Sequence, residues 1–352
     1  MLLVPLALVG SVAFAQAELP QSEVESFAEI AMGVDVSVTV AAPEAQRRLG
    51  AARLAIAEVR ACDDALSDWQ ASSERSRLPR TAGVAAIASE RLFTATARSI
   101  EIARATEGRF DPTIAPIVQA WRSARAKGTL PDAAVLDAAL GFVGWQDVTL
   151  DASMRTITFG RDGMALDFGG IGKGFAAQRA STAMTASGQP SHLVAVAGDV
   201  VAGPVAPPGK PGWTIRKEDG LGESVELVLL GEAVSTSGDL EQFIEIAGVR
   251  HSHIIDPRTG RALRERTAAC VRGPDGATCD ALATALCVAG VREAAVLMGA
   301  FPGYRASVTT IESDGRRTWS TSPGPEGLPC AADAVTVPKG VSVPGATAKP
   351  QR

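Results

Sequence analysis

Three segments of the sequence bring together residue types that can handle a phosphate, a hard cation and a proton. Ala165 to Phe175 reads as an extended approach, a glycine-rich loop (Asp167-Phe-Gly-Gly-Ile-Gly-Lys-Gly174) and the start of a helix. Glycines admit a close ligand approach. The first helical turn offers N–H groups and a partial positive charge, to which Lys173 adds a full one. Neither GxxxxGK[ST] nor GxGxxG is present in this loop, so it is not a P-loop or a dinucleotide fingerprint. A tight packing turn is an equal reading of the same residues.

The second segment is Gly276 to Thr284. Asp280 and Thr284 are four apart and so share one face near the N-terminus of a helix. A carboxylate and a hydroxyl set this way suit a hard cation such as Mg²⁺ held with phosphate oxygens. Ordinary capping by Asp280 or Thr278 is the competing reading. The third segment is His251 to Gly260, in which His253 precedes two isoleucines and a strongly punctuated turn. It offers a fixed imidazole for proton transfer, or a purely structural histidine. Gly108 to Pro116 forms a loop stiffened by two prolines, and Ser235 to Asp239 a hydroxyl-rich turn after a strand.

These groups need a scaffold. The chain has 352 residues, 46% apolar and 21% charged, which is enough apolar surface to fold as one large domain or two small ones. Aromatics make up only 5%, so the core is built from Ala, Val, Leu and Ile. Lys and Arg number 34 against 39 Asp and Glu, a net charge of −5 that speaks against a nucleic-acid surface. The five cysteines form no CxxC, the three histidines no HExxH, and a structural zinc site is not expected. Buried thiols acting as small hydrophobes are preferred over disulfides.

Alternation of Val34, Val36, Val38 and Val40 predicts a half-buried strand over Phe27 to Val40. Helices are expected over Ala45–Leu66, Ala85–Glu107, the stretch before Ala126, Pro131–Leu140, the segment opened by Gly169–Gly174 and running through Ala186, Asp280–Ala289 and Val291–Leu297. Strands are expected near Val148–Leu150, Thr156–Phe159, Leu193–Ala202, Trp213–Arg216, Ser224–Leu230, Ala233–Ser235, Phe243–Ile246, Ala268–Arg272 and Arg305–Ile311. The irregular interleaving points to an α+β fold with mixed or antiparallel sheets flanked by helices.

At the N-terminus, Leu2 to Phe14 is an apolar run too short for a bilayer of about 30 Å, which needs roughly 20 residues. With Ala15-Gln16-Ala17 behind it, the run reads as a signal peptide over 1–17, predicting an exported, periplasmic chain with no stable membrane insertion after cleavage. No cysteine follows to carry a lipid. The expected globular domain is 18–330, and 331–352, rich in Pro, Gly and Ala, reads as a flexible tail.

Taken in order, several blocks resemble the ApbE family of FAD:protein FMN transferases over roughly Phe27 to Ile311. They are Met32-Gly33; Leu66-Ser-Asp-Trp69 with Ser73-Glu74 and Ser76-Arg-Leu78; Gly108–Pro116; Asp167–Gly174; Ala197-Gly-Asp199; Ala233–Asp239; Ser252–Arg261; and Cys279–Leu286. The resemblance implies a single flavin transferase domain that takes FAD as substrate with Mg²⁺. Its product would be FMN on a Thr or Ser of an exported or membrane electron-transfer flavoprotein, with AMP released.

It also implies FAD contacts from Met32, Trp69, Arg109, Phe110, Asp111, Asp167 and Lys173. Metal contacts would come from Asp280, Thr284 and the Gly170 carbonyl, and His253 would act on the acceptor hydroxyl. Trp69 stands where the family carries Tyr, which keeps a stacking face and loses the phenol. Ala283 stands where several relatives carry a further oxygen. A Mg²⁺-dependent FAD pyrophosphatase and a non-catalytic flavin-binding protein are the alternatives.

Overall fold

The computed structural model describes residues 23–218, 224–238, 243–312 and 315–321. The expected signal peptide, the 331–352 tail and Cys330 lie outside them. The chain opens with a hairpin of β1 (Glu23–Ala31) and β2 (Val34–Ala42), followed by α1 (Ala45–Leu66), β3 (Ala85–Ile87) and α2 (Glu90–Ala105). Next come α3 (Ala115–Ala126), α4 (Ala133–Leu140), β4 (Val148–Asp151), β5 (Thr156–Phe159) and α5 (Gly172–Ala186). Two short strands follow, β6 (His192–Val196) and β7 (Asp199–Ala202), then β8 (Trp213–Glu218), β9 (Ser224–Leu229) and β10 (Ala233–Gly238). Beyond these are β11 (Phe243–Ile246), β12 (Val249–Ser252), β13 (Ile255–Asp256), β14 (Arg261–Ala262) and β15 (Arg266–Gly273). The described chain ends with α6 (Gly276–Met298), β16 (Arg305–Glu312) and β17 (Gly315–Ser320).

An eight-stranded sheet in the order β1-β2-β6-β7-β10-β15-β16-β17 is antiparallel at every pairing. Helices α1, α5 and α6 pack together on it. A small three-stranded sheet, β3-β5-β4, stands apart. The α+β expectation therefore holds. By length and composition α6 could cross a bilayer. Here its alanines 277, 281, 283 and 285 are buried against β10, β15, β16, α2 and α5, which explains its apolarity on all sides.

The main departures from the sequence reading fall at turns and caps. The expected strand over Phe27–Val40 is two strands joined at Met32-Gly33, where φ is 54° and 72°. The expected strand over Leu193–Ala202 is likewise a hairpin, turning at Ala197 with φ 50°. Hydrophobic alternation runs on through both turns, and neither Met nor Ala is a usual signal for positive φ. The helix expected from Ala85 begins at Glu90, because Ser89 caps it by accepting from the Leu92 N–H at 3.2 Å, while residues 85–87 pair with β5. The break between the two helices expected near 290 is a kink at Gly290, φ 62°.

Cys62, Cys270, Cys279 and Cys287 are all buried, as the small-hydrophobe reading expects. Burial pushes the Cys62 thiol up to about 12 and the Cys279 thiol well above its ordinary range.

Candidate active site

The floor of the site is set by two helix N-termini that cross at glycines. A Cβ on Gly174 would sit 2.2 Å from the Gly276 carbonyl oxygen and 2.6 Å from Asp280 Cβ. Only hydrogen fits there, and this allows α5 and α6 to start beside one another. The α6 start is capped by Asp275, which accepts from the Thr278 N–H at 2.8 Å. Capping thus belongs to Asp275, and Asp280 is released for other work. Its Oδ2 accepts from the Gly174 N–H at 2.9 Å, across the crossing.

Around that crossing the charges are dense and shielded. Lys173 Nζ lies 2.6 Å from Asp199 Oδ2 and 3.7 Å from Asp280 Oδ1. Both carboxylates are 1% exposed, and the lysine 30%. Burial pushes Asp280 up to about 7, the Asp199 charge adds to this, and Lys173 and the Gly174 N–H oppose it. Burial alone would depress Lys173; the two carboxylates outweigh it and hold the ammonium above its ordinary value. Asp199 Oδ1 is buried without a hydrogen-bond partner among the described residues.

Thr284 Oγ1 lies 3.0 Å from Ser237 Oγ and 3.1 Å from where a Gly170 Cβ would be, which places the glycine loop against the hydroxyl pair. Two carboxylates, an orphan carboxylate oxygen, hydroxyls and a nearby loop carbonyl are hard oxygen donors. They fit a cation that keeps part of its water shell, such as Mg²⁺. Among the described residues no cluster of three His, Cys, Asp or Glu offers a fuller protein cage.

These groups open into a cleft of about 480 Å³. Asp167, Gly170, Lys173, Asp280, Thr284 and His253 all line it, together with Asp199, Thr236 and Ser237. Asp167 accepts from the Gly169 N–H at 2.8 Å, and its N–H donates to the Pro112 carbonyl at 2.6 Å. Burial raises its carboxyl, with Asp68 adding and Arg75 and Arg122 opposing. His253 enters at the end of β12, beside Ile254 and Ile255 of the cleft wall. The lining also includes Ile114, the N-cap of α3, and Val118 and Arg122 on that helix at four-residue spacing.

Five expected flavin contacts lie elsewhere. Met32 belongs to the β1–β2 turn, its N–H donating to Asp63 Oδ2 at 3.2 Å and its Cε 3.7 Å from where a Gly172 Cβ would be. Trp69 is 79% exposed at the rim, with the Arg122 guanidinium 4.1 Å from its ring centroid. Phe110 is buried beneath Gly170.

Asp111 is structural in this geometry. It accepts from the Thr113 N–H at 2.8 Å and hydroxyl at 2.6 Å, and from the Trp145 N–H at 3.1 Å, which fixes the loop. Arg109 is not among the cleft-lining residues and makes an ion pair with Glu293 at 2.8 Å. Arg109 and Asp111 are held by these partners and are not among the residues that line the cleft.

Asp199 and Arg122 are the site residues that sequence reading left without a role. Asp199 had a signal, an acid two residues after a positive-φ turn residue inside a recognisable block. Arg122 had none beyond its helical spacing from Ile114 and Val118.

Known proteins share this arrangement's fold and sequence. Residues 32–307 match the model of the ApbE family. An FAD:protein FMN transferase of Rhodobacter capsulatus is 33% identical over 261 residues, 69% of this chain and 48% of that protein, so the chain spans about half its length. One of Treponema pallidum (strain Nichols) is 32% identical over 259 residues, 68% of this chain and 72% of that protein. The apo flavinyl transferase ApbE of Pseudomonas stutzeri superposes with a TM-score of 0.74 at 27% identity, covering 87% of this chain and 96% of that one.

Proposed function

The chain belongs to the ApbE family, and on that premise we propose that it is an FAD:protein FMN transferase. It moves FMN from FAD onto a Ser or Thr hydroxyl of an acceptor flavoprotein and releases AMP. The observation that carries this reading is the meeting of Lys173, Asp199, Asp280 and Thr284 where two helix N-termini cross, in the same cleft as His253.

Cleaving a pyrophosphate requires negative charge to be neutralised on the bridging and non-bridging oxygens. Asp280, Thr284, Asp199 and the Gly170 carbonyl would hold Mg²⁺, which when bound supplies Lewis-acid charge neutralisation. Lys173, locked between its carboxylates, presents a permanent positive charge from the floor. The N-termini of α5 and α6 add their dipoles.

The acceptor oxygen forms a bond to the FMN phosphorus while the bond from that phosphorus to the oxygen shared with AMP breaks. The acceptor proton passes to the His253 imidazole, and the phosphate charge departs on AMP. Asp167 orients the substrate from the cleft lining, and Trp69 offers a stacking face for the isoalloxazine ring. An exported or membrane electron-transfer flavoprotein is the acceptor class, a choice supported by the signal-like run Leu2–Phe14.

The test incubates the purified chain with FAD, Mg²⁺ and an acceptor domain and reads products by mass spectrometry. One FMN gained by the acceptor, with AMP released and both dependent on Mg²⁺ and His253, is expected. Free FMN and AMP with every acceptor tried would replace the transferase reading by a pyrophosphatase. FAD left intact would overturn both.

A further inference from the structure

The rim contains a contact that the transfer chemistry does not use. Arg122 lines the cleft and Trp69 does not. The guanidinium centre is nevertheless 4.1 Å from the Trp69 ring centroid, so one side chain meets both the cavity and the indole. We propose that Arg122 and the isoalloxazine ring of FAD compete for the same face of Trp69, which makes Arg122 a residue that sets flavin affinity. This rests on the reading of Trp69 as the flavin's stacking platform.

A guanidinium is planar and weakly hydrated, and it stacks on an indole much as another ring would. Trp69 is 79% exposed, so no apolar side chain shields its faces in Arg122's place. The helical spacing of Ile114, Val118 and Arg122 aims the arginine along the cleft wall.

Its second partner is Asp68, whose Oδ2 lies 2.5 Å from the guanidinium without hydrogen-bond alignment. The cleft also offers the arginine the field of the Asp167 carboxyl. The side chain can therefore leave the indole without losing charge compensation. A flavin arriving from the cleft replaces a cation–π contact by ring stacking, and its net affinity is lowered by the contact it displaces.

Arg122→Lys separates the two roles. Lysine keeps the positive charge facing Asp68 and Asp167 and lacks a planar face to hold on Trp69. Calorimetric titration of the full chain with FAD and with riboflavin, which carries the ring without phosphates, reads the effect. Both ligands are expected to bind R122K about threefold to fivefold more tightly than wild type, the scale of an exposed cation–π contact. Arg122→Ala should tighten riboflavin in the same sense. In a Trp69→Ala background, which itself weakens both ligands, R122K should change neither.

Weaker binding of riboflavin to R122K would overturn the proposal and make Arg122 a support behind the platform. A gain with FAD and none with riboflavin would overturn it in favour of an effect on the phosphates. Wild-type riboflavin affinity in Trp69→Ala would remove the platform and the competition together. FMN transfer persisting in that variant would show that the transferase reading stands without them.

Discussion

The floor and the rim of the cleft are built on opposite principles. At the floor, Gly174 and Gly276 bring backbones into contact, Asp280 and Asp199 are 1% exposed, and Lys173 is locked between them. At the rim, Trp69 is 79% exposed and touched mainly by the guanidinium of Arg122. The floor holds its charges in packed and shielded positions, which is what stabilising a developing charge demands. The rim uses side chains that can rearrange, which suits a large substrate entering and leaving. Chemistry sits where the backbone admits no freedom, and recognition where side chains retain it.

The sharpest way to break the contrast is Gly174→Ala. Its methyl meets the Gly276 carbonyl and Asp280 Cβ, both parts of packed backbone or its first carbon, so the helices must separate. A cost of about 3 kcal/mol is expected, with near-complete loss of activity. A wild-type melting temperature would show the crossing to be compliant.

Asp280→Asn should reduce turnover by about a hundredfold or more and move stability the other way. The folded Asp280 titrates near 7, above an unfolded value of about 3.9. The folded state therefore holds the extra proton, and its stability declines as pH rises between those values. Asparagine removes that decline. The stability of the variant relative to wild type should grow from pH 4 to pH 8 in thermal melts, and a constant difference would refute the assignment.

Asp111→Asn puts a donor where Thr113 and Trp145 need acceptors. A stability loss of about 1–3 kcal/mol with unchanged FAD affinity is expected. Lost affinity at full stability would instead support Asp111 as a flavin contact. The smallest effect belongs to the rim: Trp69→Phe keeps a ring face and should weaken FAD binding about twofold to threefold, measured by titration.

Much of the floor was legible in the sequence because its signals are local. The Asp167–Gly174 loop, the four-residue spacing of Asp280 and Thr284, and His253 ahead of a punctuated turn each carry their own pattern, and Asp167, Lys173, Asp280, Thr284 and His253 all line the cleft. What escaped was decided by distant partners. Arg109 has the charge for a phosphate, yet Glu293, far along the chain, pairs with it at 2.8 Å, and it does not line the cleft. Asp280 resembles a cap until Asp275 is seen in that role. Arg122 is an unremarkable helix residue until Trp69 is beside it. The two missed hairpins share one cause: Met32 and Ala197 take positive φ without the residue types that announce it.

The four buried thiols have a practical consequence. Cys62 lies in α1, Cys270 in β15, and Cys279 and Cys287 in the first half of α6, so they sample the layers that support the floor. Sequestered from solvent, and with Cys62 and Cys279 held in their protonated form, they resist alkylation while the layers stay closed. Each becomes reactive when its own element opens. Timed labelling with a thiol reagent, resolved by peptide, would therefore rank the opening free energies of α1, β15 and α6 without any engineered probe. The chain carries its own clock for how often the chemistry's foundation comes apart.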